Sequence, residues 1–189
     1  MKVASGESRA VQRGGRTEPV ILFLVTGQMF AISAASIHEI RSTDSLSSSA
    51  SELHQEKLPK VRHHLRHGRR SLYVVSACAH FGLPPTRPTL VLVLRGSRVA
   101  LLVDRIDRME TISLLLALPH SFRGPERAWY RGVTMIGEQV VPVVNSSGFL
   151  TEGELSFLDA VSRSADSATA EIAPAAAVRS QDIEGVVSQ

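Results

Sequence analysis

The chain has 189 residues, a formal net charge of +3 and a single cysteine, Cys78. That length can bury a sizeable core, as one domain or as two small packed units, and one cysteine excludes an intrachain disulfide framework and fits a reducing compartment. No run approaches the ~20 apolar residues that span a bilayer, no apolar stretch of a secretory signal follows the N-terminus, and so small a positive charge does not demand nucleic acid as a partner.

Residues 1–18 carry Gly, Arg and Ser without periodicity and are expected to form a flexible arm. Apolar runs at 20–25 and 29–32 flank Gly27 and read as a hairpin, with a kinked extension reaching Ile40. Glu39 and Arg41 flank Ile40, and strand alternation places the two charges on one face and Ile40 on the other. A Ser-rich connection follows at 42–51. Then comes a basic segment, 57–70, in which Lys57, Lys60, Arg62, Arg66, Arg69 and Arg70 stand with no acid among them. The chain turns near Gly68 into a strand at 72–75 and a short helical piece at 76–81 that ends at Gly82.

Strands are expected again at 89–94, 99–103, 133–136 and 140–144. Pro142 cannot donate to a ladder, so its strand is expected at an edge or at a bulge. Thr151 and Glu154 have capping-box spacing and open a short closing helix over 151–161. The remaining tail, 161–189, has too few large side chains to offset its ordering entropy and is expected to be disordered. The ordered body is therefore 19–160.

Within that body the sequence repeats itself. Residues 23–40, FLVTGQMFAISAASIHEI, and 93–106, VLRGSRVALLVDRI, share an apolar run, a Gly turn, an apolar-Ala-apolar core and a later Ile. Gly27 and Gly96 stand 69 apart, and the same shift carries Ala31 to Ala100, Ile37 to Ile106 and Ile40 to Met109. It also carries Gly68 to Gly137, Val74 to Val143 and Ser76 to Asn145. One offset across separated motifs marks a two-fold internal repeat, about 20–83 and 89–152. Runs 20–25 and 99–103 are apolar at consecutive positions, as strands buried on both faces are. Together these features predict a mainly all-β fold of two small antiparallel barrels packed on each other, with short helices at connections and at the C-terminus.

No phosphate-cradling loop, nucleophile elbow or Cys pair is present, so no catalytic residue is assigned. His63, His64 and His67, with His54 upstream, sit among fixed cations that repel a metal ion, so no metal and no other cofactor is expected. The basic segment can be a solvated hairpin, a contact for an acidic protein face or a phosphate-binding surface. Its lack of an aromatic platform weakens the case for single-stranded nucleic acid. A small nucleic-acid-binding barrel working through 57–70 stays open as the rival reading.

Several of these residues resemble the CheW-like domain of bacterial chemosensory pathways. They are Phe23 to Val25, Gly27, Phe30-Ala31-Ile32 and Ile37-His38-Glu39-Ile40-Arg41 in the first half. In the second half they are Arg95-Gly96, Val99 to Asp104, Ile106, Tyr130-Arg131-Gly132, Gly137, Val141-Pro142-Val143-Val144 and Phe149-Leu150. The resemblance covers about 20–158 and implies a pair of SH3-like five-stranded barrels. It also implies a non-enzymatic adaptor that takes no small-molecule substrate. Its partners would be the regulatory domain of a CheA-type histidine kinase and the cytoplasmic tip of a chemoreceptor, placing it in the cytoplasm at membrane-associated receptor arrays. The family's partner-binding positions fall on Glu39, with Ile40 and Arg41 beside it, and on Arg66. The first half departs from the family pattern. His67 stands between Arg66 and Gly68, while Tyr73 and Ser76 replace the usual Pro and Asp. An accessory or alternative chemosensory system fits those departures.

Overall fold

The structure is a computed structural model and describes residues 17–46, 50–52, 56–67 and 70–172. The chain divides after Phe149 into a β body and a C-terminal helical unit. The body runs β1 (Glu18–Val25), β2 (Gln28–Ser33), β3 (Ile37–Ser42), β4 (Ala50–Glu52), β5 (Val61–His67), β6 (Arg70–Ser76), α1 (Ala77–His80), β7 (Leu90–Leu94), β8 (Val99–Val103), β9 (Arg105–Ile112), β10 (Tyr130–Ile136) and β11 (Gln139–Val144). The helical unit holds α2 (Glu152–Ile172).

The strands build two SH3-like barrels. One sheet has the order β10-β11-β2-β1-β9 and the other β3-β7-β8-β6-β5-β4. The offset of 69 maps β1, β2, β3, β5 and β6 onto β7, β8, β9, β10 and β11, and it converts one strand order into the other. The repeat does not give one barrel per half. The β1–β2 hairpin shares its sheet with β9, β10 and β11, while β7–β8 shares its sheet with β3 to β6. Each half changes sheets at its third strand, after a 3₁₀ turn at Ala34–Ser36 in the first half and at Asp104 in the second. The seams created by that exchange are parallel: Val143 and Val144 face Ala31 and Ile32, and Tyr73 to Ser76 face Val99 to Leu102. All other strand pairs are antiparallel.

Each barrel closes where its open edges meet. Beyond β9, Leu116 exchanges two backbone hydrogen bonds with Val133 of β10, at 2.8 and 3.0 Å. In the sister barrel β4 does this work, with Ser51 opposite His64, the residue 69 before Val133. Gly132 lets the closing segment approach: a Cβ there would lie 2.3 Å from the Leu116 carbonyl oxygen. Two further bonds are equivalent across the repeat, Ser76 N–H to the Lys60 carbonyl at 2.7 Å and Asn145 N–H to that of Trp129 at 2.8 Å.

The consecutive apolar runs are buried as the doubly covered pattern predicts. All five residues of β8 are buried, as are Val20, Leu22, Phe23 and Val25 of β1. One barrel core gathers Val20, Leu22, Ala31, Ile112, Val141 and Val143. The other gathers Leu46, Leu65, Leu72, Val74, Val91, Val93, Ala100 and Leu102. Faces opposite those cores, including Phe23, Phe30, Leu101 and Val103, are buried too, and β1 touches β8 across the two sheets.

The strand of Pro142 is neither at an edge nor bulged at that residue. β11 lies between β10 and β2, and its parallel ladder to β2 begins only at Val143, so the missing N–H falls just before it. The nearby register shift belongs to β10, between Tyr130 and Gly132. In the helical unit, the capping box forms as the spacing predicts: Thr151 N–H donates to Glu154 Oε2 at 2.8 Å and Glu154 N–H to Thr151 Oγ1 at 3.2 Å. The helix runs to Ile172, past the end expected at 161, with no proline before Pro174 to break it. The arm over 1–16 and the tail beyond Ile172 lie outside the described residues.

Candidate functional site

Pleating on β3 places Glu39 and Arg41 on one face, and they join in an ion pair, Arg41 Nη2 donating to Glu39 Oε2 at 2.7 Å. That hydrogen bond holds the Arg41 guanidinium further into its charged form, raising its pKa. Ile40, on the other face, is 42% exposed. It lies on the strand that ends its sheet order, outside the barrel core.

The internal two-fold produces a second such place. Ile40 maps onto Met109 of β9, which is 67% exposed. Glu39 maps onto Arg108 and Arg41 onto Glu110, and these also pair, Arg108 Nε donating to Glu110 Oε2 at 3.2 Å. A further bond runs from Arg108 Nη1 to Asp107 Oδ2 at 2.6 Å. The barrels thus present the same motif, an exposed apolar residue between paired opposite charges, with the charges reversed: Glu-Ile-Arg on β3 and Arg-Met-Glu on β9.

The other sequence-predicted residues are spread out. Arg66 is on β5, which pairs with β6 and β4 and not with β3. The side chains of Arg66, Arg69 and Arg70 lie outside the described residues. Within the basic segment, Lys57 and Arg62 are exposed and Lys60 is half-buried before β5. His64 stacks on the fully buried Tyr73 ring, centroids 5.4 Å apart, and Arg98 lies 5.2 Å from the same ring. Among the described residues no three His, Cys, Asp or Glu side chains gather as a metal-ligating group.

Two features are not evident from the sequence alone. An aromatic cluster joins the first half to the second: Phe81 stacks with Phe30 at 4.6 Å and Tyr130 at 5.8 Å, and Phe122 meets Tyr130 edge-on at 6.1 Å. Buried His80 packs against Trp129 at 4.5 Å and Phe149 at 5.0 Å. Burial raises the Tyr130 phenol pKa. His80-Phe81 and Trp129-Tyr130 were the local signals; the pairs themselves and the other rings are far apart in the chain. The second feature is the exposed cross-strand pair Met135 and Val140, which the repeat aligns with Arg66 and Ser71. The described surface thus carries exposed apolar residues, Ile40 and Met109, each beside an ion pair.

Comparison with known proteins agrees with the fold. No curated relative matches the sequence. Among solved structures, the chain is similar to the scaffolding protein TtCheW from Thermoanaerobacter tengcongensis, at 12% identity and a TM-score of 0.60, covering 75% of this chain and 94% of that one. The CheW-like domain profile matches residues 19–154, the β body together with the start of α2. The repeated barrels and that match agree, and the chain belongs to the CheW-like domain family.

Proposed function

We propose that this chain is a non-catalytic adaptor that couples the regulatory domain of a CheA-type histidine kinase to the cytoplasmic tip of a chemoreceptor, acting in the cytoplasm at receptor arrays. A bridge needs two docking faces that do not compete for one partner. The observation that carries the reading is the charge-reversed pair of triads at Glu39-Ile40-Arg41 and Arg108-Met109-Glu110. Ile40 and Met109 supply apolar anchors, and the order of the flanking charges sets which partner each face accepts. Exposed ion pairs add about 0–1 kcal/mol to stability, so these charges can serve recognition at little cost to the fold. Arg66 and the cations Lys57, Lys60, Arg62, Arg69 and Arg70 would offer an acidic partner a separate basic surface, since β5 is not a neighbour of β3.

Charge reversal separates the faces. Glu39→Lys should weaken capture of one partner about tenfold and leave the other unchanged, and Arg108→Glu should do the converse. Both variants should keep the parent circular-dichroism melt. Equal capture of both partners by both variants would remove these triads from the docking surface. Loss of both partners with either variant would reduce the bridge to a single face.

A further inference from the structure

One groove in the body is not accounted for by the triads. It has a volume of about 200 Å³ and opens at the end of the β7–β8 hairpin, lined by His38, Leu72, Val93, Leu94, Arg95, Gly96 and Ser97. Its apolar wall comes from the barrel itself, because Leu72 and Val93 belong to that barrel's core cluster. The groove therefore forms a mouth that borders the apolar core at the β7–β8 turn. Its rim is cationic and polar: Arg95 and His38 are exposed, and Ser97 lies between them and β8. One Arg95 nitrogen, Nη2, donates to the Ile37 carbonyl at 3.2 Å, which ties the guanidinium to β3 at the groove's rim. The groove adjoins the first triad, His38 preceding Glu39 directly.

The sister barrel provides an internal contrast. The repeat places Asp107 where the groove has His38, Thr26 where it has Arg95, and Leu24, Val25 and Val141 where it has Val93, Leu94 and Leu72. The apolar wall is kept and the positive rim is not. A shape required only by the fold would not need the rim to change sign. We infer that the groove at His38 and Arg95 receives one aliphatic side chain of a partner protein, carried next to a carboxylate that pairs with Arg95. This rests on the adaptor reading and adds the partner's chemistry: an acidic-aliphatic segment, Leu or Ile beside Asp or Glu. The volume suits one such side chain, and a guanidinium clamped at one nitrogen still offers donors to a carboxylate.

The test uses the full chain and 4-methylpentanoate as the probe, followed by methyl NMR. Leu72, Val93 and Leu94 methyl resonances should shift saturably, while those of Leu24, Val25 and Val141 stay in place. The neutral 4-methylpentanamide should bind about tenfold more weakly, and Arg95→Gln should remove that preference. Because the amide comparison is made on the unaltered chain, it decides the question even if Arg95→Gln does not fold. Equal binding of acid and amide, equal shifts at both sets of residues, or no shift with a saturating probe would each overturn the inference. Partner capture is measured separately, so intact capture with a silent groove would sink this inference alone.

Discussion

Asp104 shows how much one side chain can organise in this body. Its Oδ2 accepts the Thr26 N–H at 2.6 Å and its Oδ1 the Thr86 hydroxyl at 2.5 Å, while its carbonyl accepts the Thr89 hydroxyl. It thereby ties the β1–β2 turn and the linker between repeats to the point where the second half changes sheets. Thr26 is a β-branched residue at φ +52°, a strained setting, and the carboxylate holds its backbone there. Asp104→Ala should lower unfolding stability by about 2 kcal/mol and Asp104→Asn by less, read from urea midpoints at constant m-value. A parent-like Asp104→Ala midpoint would refute this role. In the sequence Asp104 is only a scattered acid, since its partner Thr26 stands 78 residues away. Glu18 and Arg131 are likewise 113 apart and form a bidentate pair at 2.7 and 3.0 Å. The Arg131 hydrogen bond is the largest influence on the Glu18 carboxyl and holds its pKa below the usual glutamate value. A depressed folded pKa contributes stability that is present above the unfolded pKa and lost as pH falls through the folded one. Arg131→Met should therefore flatten the acid limb of a stability profile taken from about pH 7 to about pH 3.

At the scale of elements, the glycines separate what is written locally from what is not. Gly27, Gly96 and Gly137 have φ of +75°, +66° and +61°, and their turns were legible because the requirement is local: positive φ between two strands. At Gly96 an added Cβ meets nothing within 4 Å, so Gly96→Ala should cost only the backbone penalty, about 1 kcal/mol. Gly132 has no positive φ, and its requirement comes from the Leu116 carbonyl that closes the barrel. Gly132→Ala should cost about 3 kcal/mol through that collision, and a thermal melt separates the two variants. The β3 triad was visible in the sequence, because alternation alone predicts the shared face of Glu39 and Arg41. Its counterpart on β9 was legible only as a position, since the offset already carries Ile40 to Met109, while the exposure of Met109 and the Arg108–Glu110 pairing come from the structure.

For the whole molecule, the repeat was legible as an offset and the exchange of strands was not. Apolar periodicity states that a strand is covered on both faces; it does not state which strand covers it. In the observed order β2 is joined to β11 and β6 to β8, so every barrel contains one parallel seam between halves. A half-chain would keep its hairpins but lose those seams and the neighbour that covers β1 or β8. The first half would leave Leu22, Phe23, Tyr73 and Val75, all fully buried in the intact body, open to water on at least one side. At roughly 1.5–3 kcal/mol for each large side chain so exposed, the loss is comparable to the whole stability of a domain of that size. Cutting between Thr86 and Arg87 should therefore yield two fragments, each unfolded alone by circular dichroism and hydrogen exchange. Mixed at equal concentration they should fold together, with a midpoint that rises with concentration because association supplies the missing seams. Independent cooperative folding of either fragment would mean that a barrel can be completed from one half of the sequence, which the strand order does not allow.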